Sequence, residues 1–146
     1  MPTLRELCRR PVFFVRAEQS VLEVARYMSE RDVGAVAVLE NDRLSGIFSE
    51  RDLLMRVIAR GLDPAATPLS RVMTPNPVVV DISEPIDNCL RLMKQANCRH
   101  LPVVAEGRLA GMVSVRDLLQ VDIAEKADQI QMMRSYIHSV PPGTER

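Results

Sequence analysis

The sequence predicts an α+β fold: two β-α-β-β-α repeats packed sheet to sheet, followed by a long C-terminal helix. Three observations predict it. GIFSERDLL (residues 46–54) returns 65 positions later as GMVSVRDLL (residues 111–119), and self-similarity at a fixed period marks a duplicated structural unit. Within each copy, short Val-rich runs alternate with segments of helical periodicity. Beyond the second copy, apolar residues recur at helical spacing as far as Ile137.

The 65-residue offset needs no gap over residues 11–54: Val15 meets Val80, Arg26 meets Arg91, Met28 meets Met93, Val38 meets Val103 and Gly46 meets Gly111. The elements follow in order. Thr3–Cys8 is the N-terminal counterpart of a short helical turn expected at Leu69–Met73. Val12–Val15 and Val78–Ile82 read as strands. Val21, Val24, Ala25 and Met28, then Ile86, Cys89, Leu90 and Met93, fall at i, i+3, i+4 and i+7 and predict amphipathic helices. Ser20 with Glu23 has the spacing of a capping box, and Pro85 suits a first helical turn. Ala35–Leu39 and His100–Ala105 are strands. Glu40-Asn41-Asp42 and Glu106-Gly107 supply tight-turn chemistry into return strands Arg43–Phe48 and Arg108–Val113. A second helix starts at each Ser-x-x-Asp.

One such unit buries too little surface to be stable alone, so the two are expected to share an interface. The organisation is residues 1–60 for the first repeat, 61–76 for a linker, 77–121 for the second repeat and 122–146 for the helix extension and tail. From Val115 the apolar stripe runs through Leu119, Ile123, Ala127, Ile130, Met133 and Ile137 before Pro141-Pro142-Gly143. A helix over 115–137 would extend about 35 Å at its rise per residue, longer than its repeat needs. Its stripe predicts a helix-mediated homodimer, with a fold back over its own domain as the alternative.

Composition narrows the function. With 47% apolar and 26% charged residues the chain is a globular protein, and no stretch has the run of apolar residues a membrane span requires. MPTLRELCRR is not a signal peptide, so a cytoplasmic location and no membrane partner are expected. Nineteen basic and 19 acidic residues balance, and aromatic residues are few, which argues against nucleic-acid binding. Cys8, Cys89 and Cys98 lack metal-ligand spacing and read as free packing thiols, with no metal site. His100 and His138 stand without a triad or metal set, and neither GxxxxGK[ST] nor GxGxxG is present, so neither catalytic residues nor enzymatic activity is expected.

The paired landmarks, RRPVFFV, VGAVAVL and GIFSERDLL in the first copy, VMTPNPVVV, CRHLPVV and GMVSVRDLL in the second, resemble a tandem cystathionine-β-synthase-type (CBS) module. The resemblance covers about Leu4 to Leu119. It implies a CBS-domain pair whose cleft between repeats binds adenosine-containing ligands such as AMP, ADP, ATP, NAD or S-adenosylmethionine, and which acts as a regulatory sensor in signal transduction. No cofactor is required beyond that regulatory nucleotide, and an unknown effector protein receives the signal. The alternative is a dimeric scaffold with vestigial sites.

The residues fit that use. Ser49 and Ser114 stand where a strand turns into a helix, whose unpaired N–H groups favour an anion. Asp52 and Asp117, three residues on, offer carboxylate oxygens to both hydroxyls of a ribose. Arg51 and Arg116 are candidate phosphate partners, and Gly46 and Gly111 permit close backbone approach. Ser-x-x-Asp is also close to a capping box, and the two readings are compatible. The copies differ: Arg99 and His100 resemble the family's phosphate-reaching positions, whereas the first copy has Gly34 and Ala35 there. Pro77-Val78 and Pro11-Val12 resemble segments that hold the base, offset by one position in the register. Both clefts are expected to accept a ribose, and the one using Arg99 to handle phosphate better; for His100, a packing or surface role remains the alternative.

Overall fold

Asn41 (φ 51°) and Asp42 (φ 61°) both occupy the left-handed region, the geometry of a two-residue type I′ turn whose twist matches that of the flanking strands. In the computed structural model, which describes residues 3–139, this turn joins β2 (Ala35–Glu40) to β3 (Arg43–Ser49), with Glu40 opposite Arg43. Glu106 (φ 51°) and Gly107 (φ 78°) do the same between β6 (His100–Ala105) and β7 (Arg108–Ser114), with Ala105 opposite Arg108. Each hairpin carries one register shift, after Val38 and after Val103, at equivalent positions.

A parallel strand joins each hairpin through a crossover helix, β1 (Phe14–Arg16) through α2 (Val21–Arg31) and β5 (Val80–Asp81) through α4 (Ile86–Ala96). Ser20 caps α2, its hydroxyl accepting the Glu23 N–H at 3.1 Å. Glu23 does not complete a box; its carboxylate accepts from Gln19. Asp32 and Asn97, in register, close the two helices in left-handed conformation. Pro85 stands one position earlier than a first helical turn, as the extended N-cap of α4. Both parallel strands are shorter than the apolar runs suggest. Pro11 and Pro77 lack a donor N–H and pairing begins only beyond them, so Val12, Val78 and Val79 stay outside the sheets.

The second helices differ. In the first repeat α3 (Glu50–Asp52) widens into a π-wound stretch, Leu53–Ile58, with Ala59 N–H bonding the Leu54 carbonyl. In the second, α5 runs unbroken over Val115–Ser139, 25 residues or about 37 Å. Leu118 is buried in the second core, but every side chain from Lys126 to Tyr136 is exposed, so the helix leaves the body of its repeat. The side chain of Ile137, and residues 141–143, lie outside the described residues.

Two cores form, and each is completed by a segment that precedes the other repeat. Leu69, Val72 and Met73, from the stretch between the repeats, join the core of Val21, Val24, Val36, Val38 and Phe48. There the chain forms a 3₁₀ turn (Leu69–Arg71) and β4 (Thr74–Pro75), which pairs with β3 and makes the first sheet β1-β2-β3-β4. Leu4, in α1 (Leu4–Leu7), joins Ile86, Cys89, Leu101, Val103 and Val113 of the second core, behind the sheet β5-β6-β7. Leu4 and Leu69 are one 65-residue register apart and both almost fully buried; each contributes about 1.5–3 kcal/mol by that burial. The repeats meet where β3 faces β7. Cys8, Cys89 and Cys98 are free thiols on the second core; burial above all, with Glu84 and Cys8 adding, pushes Cys89 up to about 11.

Candidate functional site

Both Ser-x-x-Asp motifs form reciprocal caps. The Ser49 hydroxyl accepts the Asp52 N–H at 3.2 Å, while Asp52 Oδ2 accepts the Ser49 N–H at 3.0 Å. Ser114 and Asp117 repeat this at 3.0 Å in each direction. The strand-to-helix geometry expected at both sites is therefore present, and each carboxylate spends one oxygen on its own cap.

The remaining surroundings separate the two aspartates. Asp52 has a side chain 12% exposed. Its Oδ2 also accepts the Ser49 hydroxyl, and its Oδ1 faces the Thr74 hydroxyl at 3.3 Å and Arg56 Nε at 3.6 Å. Arg56 Nη1 in turn donates to the Met73 carbonyl at 2.9 Å, which ties the inter-repeat segment to this helix. Asp117 is more open. Its Oδ2 accepts from Arg10 Nη2 at 3.2 Å, and among the described residues its Oδ1 has no hydrogen-bond partner. Burial, the largest influence on the Asp117 carboxyl, works to raise it; the Ser114 N–H, the Arg10 guanidinium and the Ser114 hydroxyl together outweigh burial and hold it below the ordinary value.

A groove of about 510 Å³ opens beside Asp117, between Glu6, Leu7 and Arg10 of the N-terminal segment and Gln120, Val121 and Glu125 of α5. That volume lies in the range of small-ligand sites. Of the residues singled out in the sequence, only Asp117 lines it.

His100 is opposite Ser114 in the β6–β7 register and half-buried. Burial pulls its pKa down most; Glu50 of the first repeat and Asp117 push it up, and Arg99 lowers it. A side chain at Gly34 would stand 3.7 Å from the His100 ring and 3.4 Å from the Glu50 carboxylate. His100 thus sits between the two motifs, at the junction of the repeats. Arg99, Arg51 and Arg116 are exposed, and among the described residues no ion pair joins them to either aspartate. Val12 and Pro77 are half-buried and Val78 is exposed.

Gly46 and Gly111 turn out to serve the exchanged segments. A Cβ on Gly46 would meet the Thr74 carbonyl at 2.7 Å and Met73 Sδ at 2.8 Å, and one on Gly111 would meet Cys8 Sγ at 2.7 Å. The space expected for a ligand is filled by the chain itself. Arg10 and Thr74, which reach the aspartates from outside their motifs, carried no signal in the sequence because their partners are distant, whereas Arg56 stands four residues after Asp52, a helical spacing the sequence does offer. Among the described residues no group of three or more His, Cys, Asp or Glu is placed to hold a metal, and no helix is long and apolar enough to cross a membrane.

Comparison with known proteins agrees with this architecture. The CBS domain family model matches twice, over residues 4–59 and 69–124. Hypoxic response protein 1 of Mycobacterium tuberculosis is 31% identical over 119 residues, 81% of this chain and 83% of that protein. A CBS-domain containing protein from Agrobacterium tumefaciens superposes with a TM-score of 0.75 at 32% identity, over 82% of this chain and 95% of that one. A CBS domain protein from Pyrobaculum aerophilum, solved in complex with AMP, gives a TM-score of 0.73 at 29% identity, over 80% and 89%. With two matched units, two exchanged segments and a shared β3–β7 junction, the chain belongs to the CBS domain family as a tandem pair.

Proposed function

We propose that this chain is a non-catalytic regulatory module that binds an adenosine nucleotide at the junction of its two CBS repeats, with Asp117 as the ribose anchor. The observation that carries the reading is the state of Asp117: an ionised carboxylate at the first turn of α5, with one oxygen unpartnered among the described residues, beside a groove of ligand size. The adjacent helix start offers N–H groups to an anion, and Arg116, Arg99 and His100 stand on the same repeat. The AMP complex of the Pyrobaculum aerophilum relative supports the ligand class. Val12, Pro77 and Val78 are the candidates for holding the base.

Asp52 favours a second reading for the first repeat. Its oxygens are occupied by Ser49, Thr74 and Arg56, an arrangement that holds the inter-repeat segment. Ligand binding there, with Ser49 and Arg51, requires those contacts to open, so the Asp117 site fills first.

A change of shape at Asp117 has a direct route outward, because Asp117 and the exposed arm belong to one helix. Leu119, Ile123, Ile130 and Met133 on α5, with Leu54 and Ile58 on the first repeat, are exposed apolar side chains suited to a homodimer that presents the module to an effector protein. The test is calorimetry and thermal shift with AMP, ADP, ATP, NAD and S-adenosylmethionine. Ligand at 100 times its Kd adds about 2.7 kcal/mol of stability, and Asp117→Ala removes the effect. No shift with any of the five sinks the reading and leaves the scaffold.

A further inference from the structure

Arg10 occupies one of the two Asp117 oxygens that a ribose diol would use, the other being unpartnered among the described residues. Its Nη2 donates to Asp117 Oδ2 at 3.2 Å and its Nε to the Leu7 carbonyl at 3.3 Å, so one guanidinium spans the end of the N-terminal segment and the first turn of α5. In the first repeat the exchanged segment itself presents only the neutral Thr74 hydroxyl, and the guanidinium beside Asp52 comes from Arg56, four residues along its own helix. The Arg10 side chain is 61% exposed, and an ion pair that open to water is readily broken. The other charged side chains of the groove are acidic, set among the apolar Leu7, Val121 and Ala124. Glu6, Glu125 and Asp128 line it with Asp117, and Arg10 is the one basic side chain among the described lining residues.

Resting on the reading that Asp117 anchors a ribose, we infer that Arg10 makes this site select phosphorylated adenosine ligands over uncharged ones. A ligand that takes Asp117 Oδ2 displaces the guanidinium. If the ligand carries a phosphate, the freed fork has an oxyanion partner and forms charge-assisted, bidentate contacts. An uncharged nucleoside breaks the same pair and returns nothing to it. Without Arg10, the carboxylates around the groove would repel an anion. The arginine therefore acts as a placeholder for the sugar in the free protein and as a phosphate partner in the complex.

The experiment is calorimetry of the full chain with AMP and with adenosine, which share the ribose and base and differ in the phosphate. Wild type is expected to prefer AMP. In Arg10→Gln the AMP-to-adenosine affinity ratio should fall at least tenfold, with adenosine binding unchanged or tighter because its competitor for Asp117 is gone. Arg10→Lys, which keeps the charge and loses the fork, should fall between the two and serves if the glutamine variant does not fold. A ratio equal in wild type and both variants overturns the assignment while leaving the site intact, as does a wild type that binds adenosine as tightly as AMP. No binding of either ligand to wild type overturns the site reading itself, and this inference with it.

Discussion

Cys8 and Met73 stand 65 residues apart and press on equivalent glycines of opposite repeats, Cys8 Sγ on Gly111 and Met73 Sδ on Gly46. A Cβ at either glycine enters space already filled. Gly46→Ala meets the Thr74 carbonyl as well as Met73, and a backbone atom yields less easily than a side chain. It should cost about 1–3 kcal/mol, measured as the urea midpoint at unchanged slope. Gly111→Ala should cost less and be partly relieved by Cys8→Ala. A double-mutant cycle showing no coupling between residues 8 and 111 would refute the contact.

Leu4 is almost fully buried in the second core and Leu69 in the first. Each change to alanine should cost about 2–5 kcal/mol. The location of the damage is the sharper test. Leu4→Ala, although it precedes the first repeat in sequence, should loosen the amides of β6 and β7 in hydrogen exchange and spare β2 and β3. Loss of protection in the first sheet instead would contradict the exchange of segments.

Asp52 and Asp117 make the same cap, but Asp52 also holds Thr74 and Arg56. Asp52→Ala leaves half-buried donors unmatched and should cost about 1–3 kcal/mol. Asp117→Ala, whose additional partner is an exposed arginine, should cost about 1 kcal/mol while removing ligand binding. Equal losses of stability would erase the distinction between a structural and a ligand-facing carboxylate.

Burial above all holds the His100 pKa below the ordinary histidine value of about 6.5. Above that value folded and unfolded chains are both neutral here and the contribution is fully present. As pH falls through 6.5 the unfolded chain takes its proton first, so stability declines until the folded-state pKa is passed. Denaturation measured between pH 7.5 and 5 should show this decline, and His100→Gln should flatten it. An unchanged profile in the variant would place the sensitivity elsewhere.

The exposed stretch from Lys126 to Tyr136 predicts that the arm serves association rather than folding of its repeat. If the proposed homodimer forms through the arm, the full chain should run as a dimer in light scattering and a chain ending at Glu125 should keep both cores and run as a monomer. Ile130→Glu should do the same with the arm present. Persistence of the dimer in both would move the interface to Leu54 and Ile58.

Much of this architecture can be read from residues. Asn41-Asp42 and Glu106-Gly107 announce their turns because few residues accept positive φ, and the spacing of Val21, Val24 and Met28 announces a helix with one buried face. The positions of Ser49, Asp52, Ser114 and Asp117 follow from the same local chemistry. What local pattern does not carry is the choice of partner. Leu4 reads as apolar wherever it packs, and nothing near it names the second core. The Arg10–Asp117 contact joins residues 107 positions apart, and the grip of Arg56 on Met73 requires the inter-repeat stretch to fold back first. The widened turn of Leu53–Ile58 has no counterpart in the equivalent stretch of α5, and its sequence is ordinary for a regular helix.

The crossing of Leu4 and Leu69 into each other's territory means that neither half is a self-sufficient piece. Cut near residue 62, the protein would give two fragments, each lacking the plug its interior needs and each carrying the plug for the other. Such fragments should fold poorly apart and reconstitute when mixed.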